Sequence, residues 1–413
     1  MSAPAVKSAA GARYLLLGAT VFLALGGLLM IFSASSASDF LKFGNSMYHV
    51  ERQAIFLALG FVVLFAASRL PVSLVRRAGW LVLGVSDLGL LVVMVMGIGK
   101  FGATRWIDLG FATVQPSELA KLGCVLVVAG IMAERQRHRG SLKRDLLEGA
   151  AAVGVPFAFV MLQPDMGTAM SILLAVFFVV VLGGLPWRVI VMTVGGILAG
   201  VVPLILVAGY RKSRLLSFLD PSSDPQGAGY QILQARLAFG SGGIFGLGLG
   251  MSRQKFFYLP AAHTDFIFAI IGEELGLVGA LAVVAAFGAL CYGGVLIAMS
   301  VEDEYARLVA GGLTMMIVTQ AGINMASVTG IMPVTGIPLP LVSYGGTSLL
   351  FTMACIGLIL AMTRGAGRGS TRRRPHTIEQ GGSTSARSGE RRGNGRPRLS
   401  GIDGGRAGVG RRS

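Results

Sequence analysis

The residues of this chain best suited to chemistry lie together at His263, Thr264 and Asp265, with two further carboxylates downstream at Glu273 and Glu274. A long polar loop ends there and a long apolar run begins, so each acid meets a poorly hydrated setting in which an idle charge is costly. Two uses are open to this cluster, and they are compatible. Thr264 or Asp265 can cap a helix N-terminus, with the glutamates as interfacial polar residues, or the Asp265 carboxylate can act on a substrate. Glu118 and Lys121 are three residues apart on an apolar segment, hence on one helix face, where they can pair. Such a pair either neutralises two buried charges or serves a ligand. Asp165 stands in a tight turn after Gln163 and Pro164, where it can cap the next helix. Arg211, Lys212 and Arg214 follow an apolar run, a usual position for interfacial anchors.

Metal chemistry by the protein alone is not indicated. His49, His138, His263 and His376 are scattered without ligand spacing. Cys124, Cys291 and Cys355 fall inside apolar runs, which argues against disulfides or a thiolate site. With 53% hydrophobic and 14% charged residues the chain is no soluble globule. Runs of about 20 apolar residues recur, enough to cross roughly 30 Å of hydrocarbon as helix. The expected fold is an all-α polytopic membrane protein of about ten transmembrane helices, with a large extracytoplasmic loop between spans seven and eight. The net charge of +16 is mostly that of residues 364–413, which hold 13 Arg and three acids. A basic cytoplasmic tail beside anionic membrane lipids accounts for this better than nucleic-acid binding.

In chain order, residues 1–12 form a cytoplasmic segment and the first span covers 14–32. Small residues at 33–38 resemble a cleavage site, but the run is too long for a signal peptide and more spans follow, so the helix is retained. Spans follow at 53–68, 80–98, from Ser117, 149–162, 169–184 and 189–207. Loop 208–264 contains a glycine-rich portion, 240–250, that lacks the spacing of a phosphate-binding fingerprint and reads as flexible backbone. The run from Asp265 to about Met299 is too long for one simple span, so it either projects beyond the bilayer or breaks near Gly272–Gly276. Spans at 306–326 and 348–362 flank a proline-rich outer loop. Setting aside the long 208–264 loop, inner segments before the tail carry 12 Lys or Arg against four outside, which puts both termini in the cytoplasm. Residues 364–413 contain 13 Gly and no aromatic residue, a composition expected to be disordered.

Several segments together resemble the SEDS family of membrane glycosyltransferases, most closely its FtsW-like members. They are Arg105-Trp106, the run from Gln115 to Lys121, Gln163 to Ala169, Asp224 to Tyr230, His263 to Gly276 and Pro338 to Gly346, in the family's order across about 13–363. The resemblance implies polymerisation of lipid II into glycan strands at the outer membrane face for septal wall synthesis. It also implies work alongside a class B penicillin-binding protein (a transpeptidase) and other division proteins. Asp265 matches the family's essential aspartate, and Glu118, Lys121 and Asp165 match polar positions lining its central cavity. His263, Thr264 and Ser343 fall in the matching motifs and are substrate-contact candidates. Two departures stand out: Ala261 where the family often has Glu, and a turn Pro333-Val-Thr-Gly336 where some members carry Lys.

Glycan growth requires a sugar hydroxyl to attack an anomeric carbon while a lipid pyrophosphate leaves. It needs a base near the hydroxyl and positive charge near the phosphates. Asp265 is the expected base, and with no second carboxylate beside it, direct displacement with inversion is expected. Arg105, Lys121, Arg211, Lys212, Arg214 or a divalent cation (Mg or Mn) would meet the pyrophosphate. Two rivals belong to other classes: a lipid II flippase, for which Asp87, Glu118 and Lys121 would mark a pathway, and a non-enzymatic division scaffold. The first lacks support from an internal repeat. Because the tail's composition cannot bury a core, deleting residues 370–413 should leave polymerisation by the purified protein intact. Loss of activity in a well-folded truncated protein would refute this.

Overall fold

A computed structural model describes residues 3–364, apart from 97, 101–102, 109, 111–112, 139–140, 208–213, 215, 224–226 and 257. The tail expected to be disordered therefore lies outside the described residues, as does Arg211. The elements are α1 (Ala3–Phe43), α2 (Tyr48–Ser68), α3 (Val72–Met96), β1 (Ile98–Lys100), β2 (Ala103–Asp108), β3 (Thr113–Val114), α4 (Pro116–His138), α5 (Leu142–Leu162), α6 (Met166–Leu182) and α7 (Trp187–Val207). After a 3-10 turn at Pro221–Ser223 come α8 (Ala228–Gly242), α9 (Ile267–Glu274), α10 (Gly276–Ser300), α11 (Glu304–Val328) and α12 (Gly346–Met362). Among the described residues seven helices are long and apolar enough to cross a membrane, and three shorter apolar ones accompany them. The protein is an all-α polytopic membrane fold.

Burial sorts the helices into a centre and a belt. The apolar window of α4 is 83% buried and that of α11 72%, whereas those of α2, α3 and α5 are each 28% buried. Helices α4 and α11 therefore form the core, and the outer three turn most of their surface to lipid. The pairings follow: α3 lies along α4, α11 along α4 and α6, α1 along α10, and α2 along α12.

Helix α1 is longer than its apolar run. It continues through Ser33–Ser38 to Phe43, a segment expected to be loop. Polar partners explain the extension: Ser35 donates to Asp39 at 2.8 Å and Ser33 donates to Glu274 at 2.6 Å. The outer segment after α3 also differs from a simple loop. It forms an antiparallel sheet in the order β1-β2-β3, with Gly99 opposite Thr104 and Ile107 opposite Val114. The long loop holds a regular helix, α8.

The overlong eighth run does break, between α9 and α10 at Leu275. A break inside an apolar body leaves carbonyls of one helix and N–H groups of the next without intrahelical partners. The glycine-rich segment supplies those partners. Leu247 and Gly248 donate to the carbonyls of Glu273 and Glu274 at 3.0 Å each, and Leu277 and Val278 donate to those of Gly243 and Ile244 at 3.0 and 3.2 Å. This closeness requires glycine. A side chain on Gly246 (φ +79°) would begin 2.2 Å from the Glu274 carbonyl oxygen, and one on Gly276 (φ +66°) 2.4 Å from the Gly246 nitrogen. The expectation of flexible backbone at 240–250 is thus corrected at two of its glycines: Gly242 and Gly246 are small so that two backbones can touch.

Glu273 and Glu274 complete the seal from within rather than sitting at an interface. Both are essentially inaccessible to solvent. Glu273 accepts from the Ser252 hydroxyl and from the Arg253 N–H at 3.0 Å; Glu274 accepts from Ser33 and from the Ser252 N–H at 3.2 Å, with the Lys255 ammonium 3.6 Å away. Gly246→Ala, strained in φ and blocked by backbone, should cost at least roughly 2 kcal/mol. Gly240→Ala, which meets nothing within 4 Å, should leave melting temperature in detergent unchanged or slightly raised. Equal melting temperatures for the two variants would refute the seal.

Candidate active site

Asp265 lies just before α9, but it does not cap it. The N-cap is Phe266, and no side chain caps that helix. This removes the capping use and leaves the carboxylate available. Its backbone is held from below: the Asn324 amide of α11 donates to the Asp265 carbonyl at 2.7 Å and to that of Ile337 at 2.7 Å. The neighbouring residues are stitched to the proline-rich loop. Ser343 donates to the Thr264 carbonyl at 2.6 Å and accepts from the Leu339 N–H at 2.8 Å, while the Tyr344 N–H donates to the His263 carbonyl at 2.9 Å. Gln53 of α2 clamps the same loop through Ser343 and Gly345. The Ser343 hydroxyl is thus committed to the backbone and positions the Asp265 segment.

Gly336 marks where the charged groups meet. A Cβ there would lie 3.6 Å from Asp265 Oδ2, 3.8 Å from Arg214 Nη1 and 3.9 Å from Arg105 Nη1. Each cation is anchored by carbonyls or carboxylates of a different element. Arg214 donates to the Val334 carbonyl at 2.8 Å. Arg105, aimed by β2, donates to the Pro164 carbonyl at 2.6 Å and approaches Asp165 at 3.6 Å. Asp165 in turn caps α6, accepting from the Thr168 N–H at 3.2 Å and hydroxyl at 2.8 Å. Capping and site membership coincide in this residue.

Burial pushes the Asp265 carboxyl up to about 6; Arg105 and Arg214 pull it back down, and Asp165 adds a smaller upward push. Asp165, from a turn 100 residues upstream in the sequence, acts on Asp265 electrostatically, but its oxygens are engaged by α6 and Arg105. A carboxylate titrating near 6 beside two guanidinium groups can take a proton and receive an anion in one place.

His263 belongs to a neighbouring ring cluster. Its imidazole lies 4.7 Å from that of His49 and 5.8 Å from the Tyr344 ring. Burial first and His49 second push it down to about 4, so it is neutral near pH 7. His49 itself pairs with the buried Asp39 at 2.5 Å. Thr264 turns its hydroxyl to the Ala261 carbonyl at 3.1 Å.

Deeper in the bundle, Lys121 and Glu118 do pair, at 2.9 Å, with side chains 1% and 6% exposed. Lys121 also donates to Gln320 at 2.5 Å, and the Gln320 amide donates to the Pro338 carbonyl at 3.2 Å. Gln320 and Asn324 thus connect the ion pair to the loop and to Asp265. Neither was singled out from sequence, although two amides four residues apart on an apolar span are a signal of one polar helix face.

The residues that carry this arrangement fall within residues 13–366, which match the family model described as cell cycle protein, that of FtsW, RodA and SpoVE. The chain belongs to this family. It is 38% identical over 348 residues to stage V sporulation protein E of Bacillus subtilis, covering 84% of this chain and 95% of that one. It is 40% identical over 343 residues to the probable peptidoglycan glycosyltransferase FtsW of Marinobacter nauticus, covering 82% and 86%. Among solved structures it resembles a chain of a peptidoglycan synthase complex in which polymerisation and crosslinking are coordinated (TM-score 0.70, 30% identity, 87% of this chain and 98% of that one). It also resembles the rod shape determining protein RodA of Thermus thermophilus (TM-score 0.64, 29% identity, 86% and 97%).

In this family member, removing either partner of the Glu118–Lys121 pair strands a charge in a dry site, while removing both does not. Glu118→Gln and Lys121→Met should each cost roughly 3 kcal/mol of stability or the equivalent in activity, and the double variant less than either. Additive losses in a double-mutant cycle would show that the two act separately.

Proposed function

We propose that this chain polymerises lipid II into peptidoglycan strands at the extracytoplasmic face of the membrane, with Asp265 as general base. The observation that carries this reading is the convergence of Asp265, Arg105 and Arg214 on Gly336. The reaction joins a sugar hydroxyl of one disaccharide to the anomeric carbon of another. Asp265 takes the hydroxyl proton as the new C–O bond forms, and the bond from the anomeric carbon to the lipid pyrophosphate breaks. With Asp165 committed to Arg105 and α6, no carboxylate is left to form a covalent glycosyl intermediate, so the transfer inverts.

Arg105 and Arg214 meet the departing pyrophosphate. Two guanidinium groups bring positive charge beside Asp265; among the described residues no group of three or more His, Cys, Asp or Glu is gathered, so a divalent cation (Mg or Mn) at the pyrophosphate would be held chiefly by the substrate's phosphate oxygens. Lys121 is committed to Glu118 and Gln320, which makes it a supporting residue rather than a phosphate ligand. Ten spans with both termini cytoplasmic, a place at the division septum, and a class B penicillin-binding protein as transpeptidase partner complete the reading. The complex named for its polymerisation and crosslinking supports the last of these.

Asp265→Asn preserves size and much of the hydrogen bonding, so the protein should fold and bind lipid II while polymerising it roughly 10²–10⁴-fold more slowly. For the unaltered protein, kcat/KM should rise with pH through about 6, as the carboxyl loses its proton, and then level. At pH 5 it should stand about tenfold below the plateau. Because the arginines hold the carboxyl down, Arg214→Gln should move this limb to higher pH. Near-normal polymerisation by Asp265→Asn, measured on purified protein with labelled lipid II, would overturn the assignment; transbilayer movement without polymer would favour a flippase.

A further inference from the structure

At the end of the bundle opposite Asp265, the start of α1 and the ends of α2 and α12 enclose a groove of about 330 Å³ that the proposed reaction does not use. Its floor is apolar, formed by Leu17, Leu64 and Leu360, and its walls carry the outward-facing rings of Tyr14 and Phe65. Aromatic rings at this level are characteristic of the membrane–water boundary. The charge around the groove is of one sign. Arg13 and Arg364 line it, and Arg69 stacks on Phe65 at 4.3 Å. No carboxylate lines the groove, and among the described residues none of these arginines forms an ion pair. The two hydroxyls present are turned away: Ser68 donates to the Phe65 carbonyl and Thr363 to that of Leu360, each at 2.7 Å.

Arg13 provides the second observation. Its Nε is buried without a hydrogen-bond partner, and a buried donor left unmatched is costly. At the ends of α2 and α12 the carbonyls of Ala66, Ala67, Leu360 and Ala361 accept from the cap N–H groups of Arg69 and Thr363. An apolar slot bounded by unpaired arginines at a membrane boundary matches a molecule with a hydrocarbon chain and an anionic headgroup.

We infer that this groove binds one anionic phospholipid, its phosphate met by Arg13 and Arg364 and an acyl chain laid along Leu17, Leu64 and Leu360. A zwitterionic lipid would offer the same chain, but its ammonium group would face three cations. A second copy of this chain would bring the same arginines against themselves.

The test uses the full-length protein, delipidated in neutral detergent, and follows the rise in melting temperature on adding phosphatidylglycerol or phosphatidylcholine. About 0.5 M salt weakens non-specific attraction to the arginine-rich segment 365–413. Phosphatidylglycerol should stabilise the unaltered protein at far lower concentration than phosphatidylcholine. The double variant Arg13→Gln/Arg364→Gln should need roughly 30-fold more phosphatidylglycerol, at about 1 kcal/mol per arginine. Leu360→Phe, which fills the groove and keeps both arginines, should lose the effect as well. Equal responses to the two lipids in the unaltered protein, or undiminished phosphatidylglycerol binding by Leu360→Phe, would overturn the proposal. So would glycerol phosphate competing as well as the intact lipid, because the chain would then contribute nothing.

Discussion

Backbone polar groups cannot be left open inside hydrocarbon, and this chain opens a helix there deliberately. At Leu275 the ladder of α9 stops and that of α10 begins, exposing carbonyls and N–H groups that have no water to turn to. Everything near the site answers to that constraint. The glycine-rich turn segment closes the gap by backbone hydrogen bonds, and the Glu273 and Glu274 carboxylates tie down the turn that follows it. The gain is geometric. A short α9 can set Asp265 at the head of the bundle without being bound to the direction of α10.

A second constraint acts on the charges. Asp265, Arg105 and Arg214 come from connections between the long helices, and such connections alone hold positions poorly. Here the segments carrying Asp265 and Arg105 are pinned to rigid helices, and Arg214 is held by the Val334 carbonyl of the loop those helices fix. Asn324 and Gln320 on the buried α11 hold the 337–338 backbone and the Asp265 carbonyl; Asp165 fixes Arg105 to the start of α6; Gln53 of α2 holds the 343–345 turn. The Glu118–Lys121 pair is the deep end of the same network, reaching the loop through Gln320. Its role is then continuous with that of the site, although it touches none of the groups at Gly336.

How much of this could be read from the chain depended on the range of the interaction. Apolar runs gave the places of the long helices, because crossing a bilayer is a local demand on length and hydropathy, but not their ends: α1, α3 and α5 each begin seven or more residues before the expected span. The Glu118–Lys121 pair was legible for the same reason, as a spacing on one helix. Length alone left the run after Asp265 two choices, to project or to break near Gly272–Gly276, and the structure takes the second. What could not be read were partnerships across the sequence. Ser33–Ser38 looked like a loop because their partner Asp39 and the distant Glu274 are what keep them helical. Gly242 and Gly246 looked flexible because their smallness serves a backbone that comes 30 residues later. Asp165 and Asp265 looked solitary until Arg105 stood between them. Ser343 looked like a ligand contact, whereas its hydroxyl is spent on Thr264 and Leu339.

The hydrogen bond from Ser33 to Glu274 spans 241 residues of chain. Synthesis at about 5–20 residues per second puts its two ends on the order of 10–50 s apart in emergence from the ribosome. For that interval α1 is in the membrane with Ser33 lacking its acid, and the gap around Leu275 does not yet exist. Assembly of the outer end is therefore late by construction. A chain interrupted shortly before residue 274 has its early helices inserted but lacks the acid that ties the first of them down, which makes the Ser33 end of α1 the natural place for quality control to detect an unfinished molecule.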